Sequence, residues 1–205
     1  MDLQASYILS YAYAFGGALG GTATGGGPVG AAIPFNWFSP NEWGPSLTDE
    51  RNRVVVSGVF RLPWGIQASP VFQYGSPRPY NCLSSTDWTK SGGGQARCVL
   101  NPTGTLVAAP AFPFPAGYSY ATPNSLRGTA TYDLDARFTK VFSIGERMKL
   151  NAFVELYDIT NKANFSNNYG GTFGSATFEK PLGYMNNGLS LPISRQLQVG
   201  ARFTF

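Results

Sequence analysis

Histidine is absent from the 205 residues. That removes the side chain most often used as a general base and as a metal ligand. Charge is scarce as well. Asp, Glu, Lys and Arg make up 13% of the chain, against roughly 25% in an average soluble domain. The formal net charge is +4, but the basic residues are scattered singly or in pairs and form no run or stripe. Nucleic acid is therefore not an expected partner. No apolar run is long enough to cross a membrane as a helix, which leaves crossing by strands open. Met1-Asp2-Leu3-Gln4 lacks the charged and apolar regions of a secretory signal, so an exported chain would need its signal upstream and would be a fragment. Two cysteines cannot build a four-cysteine zinc site. Cys82 and Cys98 share one loop-like stretch, a spacing compatible with a local disulfide in an oxidising compartment and equally with two free thiols. No cofactor and no catalytic residue is expected.

What is present points to an all-β chain. Aromatic residues reach 15% and hydrophobic residues 43%, too apolar for disorder. The 25 glycines and 15 prolines together make 40 of 205 residues, well above the average of about 12%. Helical periodicity is hard to find, whereas period-two alternation recurs in six segments. It is clearest at 196–205, where Leu197, Val199, Ala201, Phe203 and Phe205 oppose Gln196, Gln198, Gly200, Arg202 and Thr204. Residues 148–157 set Met148, Leu150, Ala152, Val154 and Leu156 against Lys149, Asn151, Phe153, Glu155 and Tyr157. Residues 132–142 alternate alike, and further strands are expected at 3–13, 53–60 and 66–74. Pro70 lies inside the last of these, where it costs a ladder donor.

Strands of about ten residues have the length that crosses a bilayer at a tilt. Their connections alternate in length: tight turns at 61–65 and 143–146, long segments at 14–52, 75–131 and 158–195. Outer-membrane barrels have short periplasmic turns and long extracellular loops. The glycine-dense stretch 16–30 lacks the Gly-Lys-Ser/Thr of a phosphate loop and is expected to be a flexible surface loop. Residues 107–120, with several prolines, are expected to be extended.

The polar face decides between a soluble sandwich and a membrane wall. Asp133, Asp135, Arg137, Lys149, Glu155 and Arg202 would share the inner side of successive strands. They would be costly in a dry core and suit a wetted or plugged lumen. Tyr11, Tyr13, Tyr74 and Tyr132 fall near the loop ends, with Phe60, Phe142, Phe203 and Phe205 near the turn ends. These are the positions of two interfacial girdles. Asp133 and Asp135 could suggest paired catalytic carboxylates, but Arg137 and Lys149 nearby favour a charge-balanced lumen wall. Asn164-Phe165-Ser166 matches a glycosylation acceptor only formally.

Several motifs carry a family resemblance. Asn41-Glu42-Trp43-Gly44-Pro45-Ser46, Asp49-Glu50-Arg51-Asn52-Arg53-Val54-Val55-Val56-Ser57-Gly58-Val59-Phe60 and Leu62-Pro63 resemble one hairpin of TonB-dependent receptors of the Oar-like branch. Tyr74-Gly75-Ser76-Pro77-Arg78-Pro79-Tyr80-Asn81 is similar to the loop entry that follows it. Residues 142–149 and 155–165 resemble the penultimate hairpin, and 196–205 the terminal strand. Asn52 departs from the basic residue or histidine usual there. The resemblance implies the C-terminal portion, spanning 1–205, of a barrel of about 22 strands around a plug. It implies import of scarce nutrients across the outer membrane of a Gram-negative-type bacterium, with energy relayed by TonB through an N-terminal part not in this chain. Its implied partners are outer-membrane lipid, the rest of the barrel and plug, and the barrel-assembly machinery, which would read Val199, Phe203 and Phe205. A small autonomous outer-membrane barrel and a soluble carbohydrate-binding module are the alternatives. Ligand-binding residues are not named by this reading.

Overall fold

A computed structural model describes residues 1–15, 40–90, 96–185 and 195–205. Six long strands form one sheet: β1 (Asp2–Leu9), β2 (Asn52–Leu62), β3 (Ile66–Gly75), β4 (Thr131–Ile144), β5 (Met148–Tyr157) and β6 (Gln196–Thr204). Each pairs antiparallel with the next in chain order, so the sheet is an up-and-down meander. Among the described residues no strand pairs with the outer edge of β1 or of β6.

The register keeps the two faces separate across all six strands. Asp135 stands opposite Val71, Arg137 opposite both Ser69 and Glu155, and Glu155 opposite Gln198. On the reverse face Ala5 pairs with Val56, Val56 with Phe72, Phe72 with Leu134, and Val154 with Val199. A one-residue slip would exchange the faces, so the alternation itself specifies the register. The ladder between β2 and β3 lapses between the pairs Ser57–Val71 and Phe60–Ala68, at the missing N–H of Pro70.

The reverse face is apolar and uncovered. Leu3, Tyr7, Leu9, Phe138, Phe142, Leu197, Val199 and Phe203 are all exposed. A contiguous apolar surface of this extent needs an apolar solvent. Lys140 is the one charge on that face of the strands. It lies near the turn end, with Nζ donating to the Trp64 carbonyl at 2.5 Å and 5.5 Å from the Phe142 ring centre. That is how a lysine reaches an interface from an apolar wall.

Two boundaries near the first hairpin differ from the alternation pattern. β1 stops at Leu9 rather than continuing to residue 13. The Ser10 N–H still bonds the Arg51 carbonyl in register, but the Ala12 N–H turns to Asp49 Oδ1, so the backbone leaves the ladder there. Tyr13–Phe15 instead pairs with Trp43–Pro45. The first tight turn is confined to Pro63–Gly65, because β2 runs on to Leu62. Gly145, at φ +67, allows the second turn its left-handed residue.

The packed core lies in the long connections, not in the sheet. Only Ala68 and Ala136 of the long strands are among the buried hydrophobic residues. One apolar cluster joins Trp88, Ala96 and Val99 to Val107, Phe114 and Tyr120. A second joins Cys82, Cys98 and Ala121 to Leu106, Leu126, Phe173 and Phe178. Residues 107–120 are not simply extended: Leu106–Val107 and Ser119–Tyr120 flank Val99–Leu100 in a three-stranded sheet. The glycine-dense stretch 16–30 lies outside the described residues.

Three connections are sewn into one lid. The Asn167 amide donates to the carbonyls of Leu47 and Pro79 at 3.2 and 3.1 Å. Asn124 Nδ2 donates to the Pro45 carbonyl at 2.6 Å. A methyl group on Gly128 would sit inside the Ser166 carbonyl, so only glycine permits that crossing. Cys82 and Cys98 are joined by a disulfide, with Cα atoms 5.4 Å apart. Glu42 and Arg97, both fully buried, form an ion pair at 2.6 Å.

Candidate ligand site beneath the lid

Where β2, β3 and β4 meet the lid, their polar face ends in a cavity of about 200 Å³. Gly75 makes its floor. It stands between Arg53 and Thr131 in register, and a Cβ there would meet the Glu50 carboxylate at 2.9 Å. The missing side chain lets Glu50 lie over the strand. Arg78 holds Glu50 Oε2 at 2.8 Å and Arg53 holds Oε1 at 3.3 Å. Two guanidiniums thus share one carboxylate.

The opposite wall comes from β4 and the connection that follows β5. Among the described residues Asp133 Oδ1 is buried without a hydrogen-bond partner. Asp135 Oδ1 accepts the Asp158 N–H at 2.9 Å. The Asp158 carboxylate accepts from the Thr160 hydroxyl and the Lys162 N–H, at 3.0 and 3.2 Å. Asn164 takes the place of a strand: its amide bonds both the N–H and the carbonyl of Tyr132, at 3.1 and 3.0 Å. Ser166 of the formal glycosylation motif is buried. Lys162 Nζ sits 4.4 Å from the Tyr132 ring centre, a cation–π contact. Tyr74 and Tyr184 also line the cavity. The arrangement offers charge, hydrogen bonds and aromatic surface to a small polar molecule.

Asp49 latches this rim to the lid. Fully buried, it pairs with Arg127 at 2.8 Å and Arg51 at 3.3 Å, and accepts the Ala12 N–H at 3.1 Å. Burial works to raise its pKa. The Ala12 N–H and the two guanidiniums outweigh burial and hold it below the ordinary 3.8.

Further along the polar face a hollow of about 600 Å³ is lined by Arg137, Asn151, Phe153 and Arg202, among others. Arg137 pairs with Glu155 at 3.1 Å and stacks 4.1 Å from the Phe153 ring centre. The expected balance of Asp133 and Asp135 by Arg137 and Lys149 is therefore realised differently. Arg137 is taken by its cross-strand neighbour, and Asp135 by a backbone amide. Phe153 covers Gly200, where a Cβ would meet the ring at 2.3 Å. An aromatic ring laid over a cross-strand glycine stabilises an edge.

Of the residues singled out in the sequence, Cys82 and Cys98 fall in the lid, away from the cavity. Val199, Phe203 and Phe205 fall on the apolar side of the free edge strand, with Phe205 94% exposed and its ring 6.2 Å from that of Phe203. The sequence reading passed over Glu50, Arg53, Arg78 and Lys162 as site residues. The signal for them was the crowding of opposite charges at strand ends in an otherwise charge-poor chain.

A meander with one apolar uncovered face, one charged face, short turns at one end and a lid at the other fits the wall of a transmembrane β-barrel. Residues 1–198 match the outer membrane beta barrel domain family, and the chain belongs to it. No curated protein and no solved structure matches the chain. Family membership sets aside the soluble carbohydrate-binding module.

Proposed function

We propose that this chain is the C-terminal wall and lid of a TonB-dependent receptor of the Oar-like type, which takes up a ligand from outside the cell. The observation that carries the reading is the open sheet. Six strands leave both edges without a partner among the described residues, and unpaired backbone cannot face lipid. Further strands of the same barrel are the natural partners of those edges. A small autonomous barrel is disfavoured on the same ground, since about eight strands is the smallest common closed form. The motifs around Asn41–Ser46, Asp49–Phe60 and Gln196–Phe205 support the receptor type. In this reading the aromatic end of β6, with Val199, Phe203 and Phe205, is what the assembly machinery reads. TonB acts through the plug region.

The test is made in living cells carrying the full-length protein. A photo-crosslinker in its N-terminal region should trap TonB, and collapse of the proton gradient should abolish ligand accumulation while surface binding persists. Accumulation that continues undiminished without the gradient, with no TonB adduct, would contradict the receptor type.

A further inference from the structure

We propose that the cavity beneath the lid is a binding site for a small zwitterion, a free amino acid or short peptide, whose ammonium group pairs with Asp133. The inference rests on the uptake reading above and names the class of ligand.

The cavity wall carries three carboxylates, Glu50, Asp133 and Asp158, and three cations, Arg53, Arg78 and Lys162. Among the described residues only Glu50 of the three carboxylates is engaged in ion pairs, and it is shared by both arginines. One guanidinium charge is therefore left over on that side. Lys162 meets the Tyr132 ring rather than a carboxylate. On the other side, among the described residues, Asp133 Oδ1 has no hydrogen-bond partner and Asp158 is held by uncharged donors. The wall is neutral in sum yet holds unmatched charge of both signs.

A carboxylate that lines the cavity without an ion-pair partner is costly, and a ligand that supplies a cation recovers that cost. A purely anionic ligand would leave Asp133 worse placed. A purely cationic one would meet the surplus guanidinium and Lys162. A neutral sugar would leave charges of both signs unmatched. A molecule carrying one ammonium and one carboxylate matches both sides. The volume of about 200 Å³ suits one or two residues rather than a drug-sized ligand, since sites for the latter start at roughly 300 Å³.

The full-length protein, extracted from outer membranes in detergent, is titrated with four probes: L-alanyl-L-alanine, its N-acetylated form, its C-amidated form, and glucose. The dipeptide should bind, and each blocked form should bind about ten- to a hundredfold more weakly. Asp133→Asn should weaken dipeptide binding by a similar factor and abolish discrimination against the N-acetyl form. Asp133→Glu should keep part of it. Lys162→Gln should reduce discrimination against the amidated form only. If a variant fails to assemble, the blocked probes on the natural protein decide the matter. Equal binding of free and blocked dipeptides, preference for glucose, or no binding of any probe would overturn the proposal. Binding in detergent needs no energy, so failure of TonB coupling would leave this result standing, and absence of zwitterion binding would leave the receptor reading standing.

Discussion

Replacing Arg97 by Met tests the claim that the long connections form a packed lid. The guanidinium is 1% exposed and Glu42 is fully buried, with Nη2 and Oε1 2.6 Å apart. The same nitrogen donates to the Asn41 carbonyl at 3.2 Å, and the guanidinium lies 5.1 Å from the Tyr120 ring centre. Burial pushes the Arg97 pKa below its ordinary value, and Glu42 and Tyr120 only partly offset this. Desolvation thus outweighs attraction. Removing one member of such a pair costs about 3–5 kcal/mol, while replacing both by apolar groups is often neutral or better. Arg97→Met alone should therefore raise opening of the lid more than about a hundredfold, and Arg97→Met with Glu42→Leu should recover most of the loss. Proteolysis of the external connections on intact cells reads this directly when reclosing outpaces cleavage. A single variant as resistant as the natural protein, or a double variant as fragile as the single, would refute the reasoning.

Other outcomes follow from the same structure. Changing Cys82 and Cys98 to Ser should destabilise the lid by about 3 kcal/mol, by the chain entropy of a loop of this size; thermal scans of the lid with and without reductant would show it, and unchanged melting would contradict it. Asp49 has a depressed pKa, so its contribution is complete above 3.8 and is lost as pH falls through its lower folded value. Hydrogen exchange in 76–130, corrected for intrinsic rate, should accelerate below about pH 4, whereas Asp49→Asn should be fast already at neutral pH and show no such step. Phe205→Ala in the full-length protein should sharply lower assembled barrel and leave unassembled chain in the periplasm; normal assembly yield would show the ring to be only a girdle residue.

The sheet was legible because a strand facing lipid on one side and a wet lumen on the other writes its orientation at every second residue. Leu197 to Phe205 and Met148 to Leu156 are plain in that respect. The end of β1 was not, since the Ala12 N–H leaves the ladder for the Asp49 carboxylate, a partner that no local pattern announces. The lid was illegible for a related reason. Its core is assembled from residues far apart in sequence, as where Phe173 and Phe178 reach Cys82 and Cys98, and glycines such as Gly128 matter only because Ser166 crosses them. Composition marked these stretches as loops, and packing between them made them a domain-like cap. The cavity beneath the lid combines both cases. Asp133 was visible on its alternating face, but Glu50 and Lys162 join it only through the fold.

Which face of the sheet meets lipid can be measured directly. Single cysteines placed along β4 (Thr131–Ile144), with the natural pair locked in its disulfide, can carry spin labels in a reconstituted bilayer. Labels at Leu134, Ala136 and Phe138 should be relaxed by oxygen, which concentrates in lipid, and those at Asp135, Arg137 and Thr139 by a water-soluble nickel complex. The two profiles should alternate with period two and opposite phase. Equal accessibility at successive positions, or nickel access at Ala136 and Phe138, would contradict the account.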